Sequence, residues 1–205
     1  MLRSGLTPHR RAPHRAASVR KGLVVAYQGE RGSNGDQAID VHWGAGAERR
    51  GFRRFSQVIE AVLRGETTAA VLPVHNAVIG DIPDVGPMLA RSTVRIVDHI
   101  EIAVMHCLLG VPGATLASVT LARSHPAALR QCSEFFRSHP AIAPHTDYDT
   151  AGAARRVARR RHRAHAAIAP AGCAGRYGLE VLAEGIADLA ENRTTFAVVE
   201  RWAIG

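Results

Sequence analysis

Short apolar runs alternate along this chain with segments whose apolar residues have helical spacing, and this alternation constrains the fold most. The run GLVVAY (22–27) predicts a strand, and AAVLPV (69–74) predicts another. Between them, FRRFSQVIEAVLRGE (52–66) has the apolar spacing of a helix that ends at Gly65. Alternating β and α segments of this length are typical of an α/β architecture.

The second half of the chain continues the alternation. A long extended stretch, 94–111, has the length to cross between two lobes, and we expect a strand there. Helices are predicted over 125–139, after Ser124 as N-cap, and over 149–165, opening after Asp149 or Thr150. The segment 176–186 is predicted to be a helix that runs into a loop, and strands are predicted at 165–170 and 194–204.

The excess of positive over negative charge comes from two segments of the chain. The net charge is +8, and residues 1–21 hold six cations and no acid. We interpret 1–21 as a basic disordered tail that precedes a single catalytic domain at 22–202. Six arginines at 155–163 are interpreted as a solvated helix face, with an acidic partner as the alternative. Because no aromatic residues interleave these clusters, we expect no nucleic-acid partner.

The sequence shows no secretory signal and no cofactor motif. Its Arg-rich, acid-free start also resembles a transit peptide, but it lacks the amphipathic period of one. Neither a signal-type apolar segment nor a membrane span is visible, so we expect a cytoplasmic protein without membrane contact. Cys107, Cys132 and Cys173 are odd in number and lack metal-site spacing, which favours reduced, buried thiols. We therefore expect no metal and no organic cofactor.

Several motifs occur together in a familiar order: VAYQGERGSNGDQAI, AAVLPVHNAVIGDI, MHCLLGVPGATL, SHPAALRQC, DTAGAARRVA, AAIAPAGCAGRYGLEVLAEGI and NRTTFAVV. Across 22–202 the chain resembles the catalytic region of prephenate dehydratases. The agreement of many separate motifs makes this resemblance more specific than any single pattern.

The resemblance implies a two-lobed α/β fold of the periplasmic-binding-protein type (type II), with a cleft between the lobes. We expect one lobe to comprise about 22–98 and 182–202, and the other about 99–181. It also implies a homodimer and a lyase that converts prephenate to phenylpyruvate with loss of carbon dioxide and water. The expected ligand is prephenate or a similar cyclohexadienyl keto acid.

The family signature Asn-x-Thr-Arg-Phe corresponds here to Asn192, Arg193, Thr194, Thr195 and Phe196. The signature arginine is replaced by Thr195, which removes a group well suited to hold a carboxylate. In an extended segment Arg193 would share a face with Thr195, so Arg193 is a partial substitute.

Other departures fall in the motifs expected to surround the cleft. Where the family has Glu-Asn-Ser, this chain has His75, Asn76 and Ala77. A Tyr-Ser pair is replaced by Asn34 and Gly35, and a glutamine by Ala127, while the packing motifs are nearly unchanged.

The resemblance assigns to Thr194 the role of proton donor to the departing hydroxyl. A threonine is a weak acid in water, so it serves only where neighbours polarise it in a dry cleft. His75 adds a titratable group, and an imidazole donates protons near neutral pH. We therefore hypothesise that His75, Asn76 and Thr194 surround the ring end of the ligand, with Asn192 and Thr195 among the substrate-binding residues.

A helix start offers a second means of binding the anionic substrate. Unpaired amides at Thr150, Ala151 and Gly152 are predicted to hold a carboxylate, because small side chains let it approach the backbone. Ser124 and His125 at another helix start are predicted to contribute similarly.

Three functions remain open at this point. The first is a dehydratase, supported by the overall match and Thr194. The second is a repurposed lyase, such as a non-aromatising prephenate decarboxylase of secondary metabolism, supported by the altered signature. The third is a non-catalytic anion-binding protein. Family members usually continue into a regulatory ACT domain, and because the chain ends at Gly205 we expect no phenylalanine feedback through such a module.

Overall fold

The computed structural model describes residues 22–202 and contains two β-sheets, each flanked by helices. The predicted tail, 1–21, lies outside the described residues. The strands are β1 (Val24–Gln28), β2 (Glu48–Phe52), β3 (Ala69–Asn76), β4 (Gly80–Asp81), β5 (Val94–Ala103), β6 (Cys107–Gly110), β7 (Leu121–Ser124), β8 (Ala143–Thr146), β9 (His165–Ala169), β10 (Glu180–Ala183) and β11 (Arg193–Arg201). The helices are α1 (Asn34–Trp43), α2 (Phe55–Leu63), α3 (Val85–Ala90), α4 (Pro126–Arg130), α5 (Ser133–Ser138), α6 (Thr150–Arg160) and α7 (Gly172–Tyr177).

Each sheet forms the centre of one lobe. The first has the order β2-β1-β3-β11-β5, with β4 paired to β3, and the second has the order β10-β6-β9-β7-β8. In the first lobe α1 packs on one face of the sheet, and α2 and α3 pack on the other. In the second lobe α6 and α7 cover one face, while α4 and α5 cover the other. The predicted two-lobed α/β fold is confirmed.

The lobes begin and end at different residues from those predicted. The boundary expected between 98 and 99 falls inside β5, which stays in the first sheet to Ala103 because Ile100 and Ile102 are buried in the first lobe's core. The return was expected at 182, but β10 pairs with β6 as far as Ala183. A continuous apolar stretch does not reveal the residue at which the chain changes sheets.

Two local predictions were wrong. The segment 176–186 was predicted to be a helix that runs into a loop, but α7 ends at Tyr177, Gly178 adopts φ 66°, and the strand β10 follows. A glycine in this left-handed conformation terminates a helix at little steric cost. The N-cap of α4 is His125 rather than Ser124. The N-cap of α6 is Asp149, as one of the two predicted alternatives had it.

Several elements were not predicted from the sequence, namely α1, α3, β2, β4, β7 and β8. Helix α1 carries Gly35 and Asp36 in its first turn, which weakens the apolar pattern from which helices are recognised. Its N-cap Ser33 accepts a hydrogen bond from the backbone N–H of Asp36, at 3.3 Å. This capped start directs the first turn of α1 toward the space between the lobes.

Candidate active site

A cavity of about 180 Å³ lies between the two lobes. The first lobe contributes the ends of β3 and β11 and the start of α1, and the second lobe contributes the starts of α4 and α6. The polar side chains around it are Gln28, Ser33, Asn34, Asn76, His106, His125, Gln131, Thr150, Asn192 and Thr194.

Strand pairing brings Asn76 and Thr194 together at this cavity. β3 and β11 are antiparallel neighbours, and these two residues are directly opposite each other in the ladder. Because side chains alternate between the faces of a strand, both side chains of the pair lie on the same face. Asn76 is 4% exposed and Thr194 is 7% exposed.

The Asn76 amide joins the turn after β3 to the signature segment. Its Oδ1 accepts hydrogen bonds from the backbone N–H groups of Val78 (3.0 Å) and Ile79 (3.1 Å). Because a backbone N–H only donates, these bonds fix which end of the amide is oxygen. Its Nδ2 therefore donates, and it lies 2.7 Å from Asn192 Oδ1 and 2.9 Å from Thr194 Oγ1.

The hydrogen bonds of Asn192 also fix the orientation of the Gln131 amide and the tautomer of His106. Asn192 Oδ1 accepts from Asn76, so Asn192 Nδ2 faces Gln131 Oε1, at 3.3 Å. The same Gln131 oxygen lies 2.8 Å from His106 Nε2. An amide oxygen only accepts, so His106 Nε2 carries the proton and Nδ1 of a neutral ring holds a lone pair.

His106 is a buried neutral base at the edge of the cavity. The residue is 3% exposed, and burial lowers the pKa of the imidazole, against a smaller opposing effect of the hydrogen bond to Gln131. Its Nδ1 is buried and has no hydrogen-bond partner among residues 22–202. A lone pair of this kind is available to accept a hydrogen bond from a bound molecule.

The Thr194 hydroxyl has the complementary property. It accepts a hydrogen bond from Asn76 Nδ2, and the described residues provide no acceptor for its own proton. The donor amide polarises the hydroxyl, so its O–H is available to donate a proton to a molecule bound in the cavity.

His125 supplies another donor at the start of α4. Its Nδ1 accepts a hydrogen bond from the backbone N–H of Ala127, at 3.2 Å, which leaves the proton on Nε2. Burial, and secondly the charge of Arg130, lower the pKa of His125. The imidazole is therefore neutral at pH 7 and borders the cavity as a hydrogen-bond donor.

The start of α6 does not present all three predicted residues. Thr150 borders the cavity, but Ala151 and Gly152 are buried and do not. The Asp149 carboxylate, itself buried, accepts a hydrogen bond from the Gly152 amide at 3.0 Å. The Gly152 amide already donates to this carboxylate, so it is not available to a ligand. The predicted anion site at Ala151 and Gly152 therefore has no geometric support.

Three further predicted residues lie away from the cavity. Ser124 is fully buried and donates a hydrogen bond to the backbone carbonyl of Ile168, at 2.6 Å. His75 and Thr195 are opposite each other on β3 and β11, one position from the Asn76–Thr194 pair, and therefore face the other side of the sheet. His75 Nδ1 lies 2.8 Å from Asp81 Oδ1 in an exposed hydrogen bond.

The structure relates two departures from the family signature. Positions 75 and 195, where the family has glutamate and arginine, are cross-strand neighbours outside the cavity. Replacing both residues therefore changes one surface pair and removes no charged group from around the cavity. By contrast, Asn34, Gly35 and Ala127, which are smaller than the family's residues, do border it.

The side chains around the cavity carry no fixed charge. Within residues 22–202, none of those that border it is Asp, Glu, Lys or Arg. The first turn of α1 places backbone amides at the cavity instead, and helix N-termini attract anions. Any ligand charge must be held by these amides and by neutral donors.

Sequence reasoning missed part of this site. The residues predicted for the site included neither Gln131 nor His106. Gln131 follows α4, which belongs to the second lobe, and only the folded chain places it next to Asn192. The one available signal was that both residues lie within motifs that resemble the family's.

No metal or membrane feature accompanies the site. No group of three or more His, Cys, Asp or Glu side chains suited to a metal ion occurs between residues 22 and 202. Over the same residues, no helix has the length and apolar character needed to span a bilayer. The three cysteines are buried and unpaired.

A two-lobed α/β protein with an interlobe cavity bordered by polar and apolar side chains is a ligand-binding or enzyme fold. The prephenate dehydratase family model matches residues 25–203. The chain is 37% identical over 180 residues to arogenate dehydratase 1 of Petunia hybrida, which covers 87% of this chain and 42% of the petunia protein. It is 33% identical over 183 residues to a bifunctional N-acyl-homoserine lactone acylase/prephenate dehydratase of Komagataeibacter europaeus, with 87% and 63% covered.

A solved structure agrees with these sequence matches. The prephenate dehydratase of Arthrobacter aurescens in complex with L-Phe superposes with a TM-score of 0.77 at 27% identity, over 87% of this chain and 60% of that one. The chain belongs to the prephenate dehydratase family. It spans less than half the length of the petunia relative.

Proposed function

We propose that the protein is a lyase that converts prephenate to phenylpyruvate with loss of carbon dioxide and water. The observation that carries this proposal is the Asn76–Asn192–Thr194 network, which leaves the Thr194 proton free at a buried cavity. Loss of both groups makes the ring aromatic, so the site needs mainly to orient the substrate and protonate the leaving hydroxyl. Thr194 donates that proton, and the Asn76 amide stabilises the oxygen that loses it.

The neutral cavity assists the loss of carbon dioxide. A carboxylate placed where no cation pairs with it is less stable than in water, whereas carbon dioxide is neutral. His106 Nδ1 accepts a hydrogen bond from a ligand hydroxyl, and His125 donates one to a ligand oxygen. These two contacts orient the ring between the lobes.

The same cavity favours a keto acid over an amino acid. Arogenate, the substrate in the names of several relatives, is the amino counterpart of prephenate and carries an ammonium group. No carboxylate borders the cavity within the described residues, so nothing there pairs with that charge. We therefore expect prephenate to be used more efficiently than arogenate.

The test is to incubate the purified protein with prephenate, and separately with arogenate, near neutral pH and identify products by mass and ultraviolet absorbance. Phenylpyruvate formed faster than in a protein-free control supports the proposal and places the reaction in phenylalanine biosynthesis. A dihydro-hydroxyphenylpyruvate indicates the decarboxylase of secondary metabolism instead. Binding without conversion indicates the non-catalytic protein.

Oligomeric state and location form a second part of the proposal, which is a homodimer in the cytoplasm. The edge strand β5 exposes Ile96 and Val97, and an exposed apolar edge favours pairing with a second copy. Three unpaired buried thiols fit a reducing compartment. Light scattering during size-exclusion chromatography measures the mass; a monomer at micromolar concentration contradicts the dimer.

A further inference from the structure

Three arginines and three histidines meet at the outer edge of the second lobe. We call this set the edge cluster: Arg123, His145, Arg156, Arg160, His162 and His165. None of its members borders the interlobe cavity. The proposed reaction gives the cluster no role.

Sheet register and helix packing explain why these residues converge. Arg123 on β7 is opposite His145 on β8, while Leu121, two residues earlier and on the same face, is opposite His165 on β9. Arg123 is also opposite Ala167, which packs against α6. The edge cluster therefore lies where the flank of α6 meets the edge of the sheet.

The positive charge of the edge cluster exceeds the negative charge that contacts it. The contacting carboxylate is that of Asp147, whose Oδ1 accepts a hydrogen bond from Arg156 Nη2 at 3.2 Å. Arg156 Nε lies 2.9 Å from Oδ2, which is buried and accepts no hydrogen bond from the described residues. Arg123 Nη1 lies 4.0 Å from the same carboxylate, and Arg160 makes no ion pair within residues 22–202. One carboxylate thus balances one of three guanidinium groups.

Arg123 is the least satisfied of the three. Its side chain is 10% exposed, and its buried Nε has no hydrogen-bond partner in the described part of the chain. Its Nη1 lies 3.2 Å from His145 Nδ1, but that nitrogen also lies 2.8 Å from the Thr146 carbonyl oxygen. When Nδ1 donates its proton to the carbonyl, it has no lone pair to accept from Arg123.

A second unpartnered group lies beside Arg123. His165 Nδ1 is buried without a hydrogen-bond partner among the described residues, and its ring stacks on His162 with 4.4 Å between ring centroids. Burial first, and then the charge of Arg160, lower the pKa of Arg123. Burial, followed by His162 and Arg123, lowers the pKa of His165. In both groups burial is the larger cause, and the neighbouring cations add to it.

We propose that the edge cluster binds a phosphate-type oxyanion. A buried guanidinium with an unpaired N–H is costly unless an anion accepts from it. Asp147 Oδ2 lies 4.0 Å from Arg123 Nη1, which is too far for a hydrogen bond, so the missing acceptor is the ligand. The donors come from the sheet edge and from the flank of α6. A tetrahedral oxyanion of charge up to −2 matches such a set better than a planar carboxylate.

The helix end alone does not account for the cluster. Cations are stabilised near a helix C-terminus, which explains Arg159 and Arg160 in the last turn of α6. That effect acts on exposed groups of the helix itself and provides no acceptor for Arg123 on the neighbouring strand.

The test is a titration of the full chain with inorganic phosphate at constant ionic strength set with chloride, followed by calorimetry and by thermal unfolding. We expect saturable binding and a rise in Tm with phosphate concentration. Arg160→Gln should weaken binding about tenfold or more, because a hydrogen bond between charged groups is lost. Arg159→Gln is the matched control, since it removes the same charge from the same helical turn, and it should change the affinity less than about twofold.

A second variant separates binding from structure. Arg123→Met should abolish the phosphate effect without lowering stability in phosphate-free buffer, since an apolar side chain of similar length replaces an unpaired buried charge. If this variant does not fold, the comparison of Arg160→Gln with Arg159→Gln decides. Absence of saturable binding to the wild type, or equal losses in those two variants, overturns the proposal.

The source of the oxyanion is distinguished by competition. Displacement of phosphate by adenosine monophosphate assigns the site to phosphomonoesters, whereas binding of inorganic phosphate alone assigns it to the free ion. Binding of neither probe contradicts the proposal.

Discussion

The two faces of the β3–β11 pair differ in what the sequence keeps and what it changes. On the cavity face, Asn76 and Thr194 keep the residues of the family signature and form a buried, directional network. On the outer face, the opposed pair His75 and Thr195 replaces both family residues and is partly exposed. A missing signature arginine therefore does not by itself indicate a lost active site, because its position faces away from the cavity.

The largest effect is expected from removing the proton donor on the cavity face. Thr194→Val keeps the shape of the side chain but removes the hydroxyl, so kcat for prephenate should fall about 10²–10⁴-fold. Stability should fall by only about 1 kcal/mol, because Asn76 retains its other acceptors. Initial rates and thermal unfolding measure the two quantities. Thr195→Val is the matched control on the outer face. An equal loss of kcat in this variant would contradict the assignment of catalysis to the cavity face.

Removing the amide that supports Thr194 should have the next largest effect. Asn76→Leu leaves the N–H groups of Val78 and Ile79 without their acceptor, at about 1–3 kcal/mol each. We expect kcat to fall about 100-fold, since misplacement of a catalytic group by about 1 Å has that cost. Asn192→Leu breaks the same network but leaves those backbone bonds intact, so its stability loss should be smaller. Chemical denaturation and steady-state kinetics test both variants.

The buried His106 should give the cavity face a dependence on pH. Its folded-state pKa is lowered, so the unfolded chain binds a proton below about pH 6.5 that the folded chain does not accept. The stability that wild type has over His106→Gln should therefore be complete above pH 6.5 and decrease on acidification, by about 1.4 kcal/mol for each pH unit crossed, down to the folded-state pKa. Denaturation curves from pH 8 to pH 5 measure this difference; a constant difference would show that His106 titrates normally.

The smallest effects belong to the outer face. His75→Ala should change turnover less than about twofold, because His75 contacts exposed Asp81 rather than the cavity.

The double variant His75→Glu, Thr195→Arg should form a cross-strand ion pair and stabilise the protein by about 0.2–1 kcal/mol without changing kcat. A several-fold rise in turnover with Thr195→Arg would show that the outer face does communicate with the substrate.

Much of the fold and part of the site could be predicted from the sequence. The two-lobed α/β architecture and most of the strands follow from local patterns and motif order. The predictions that placed His125, Thr150, Asn192 and Thr194 at a shared site agree with their positions around one cavity. The predictions for His75 and for Ala151 and Gly152 depended on which way side chains point, and on a carboxylate, that of Asp149, whose position the sequence does not show.

By itself the sequence determined the alternation of strands and helices and the family to which the chain belongs, because both depend on the order of residues along the chain. The tertiary structure decided which of two adjacent residues faces the cavity. Successive side chains on a strand point to opposite faces of the sheet, and the strand register determines which of them meet the cavity. It also decided that residues 76, 106, 131 and 192 form one hydrogen-bonded chain. These residues are far apart in the sequence, so they contact each other only when the two lobes pack together. The same packing fixes which partner donates in each hydrogen bond.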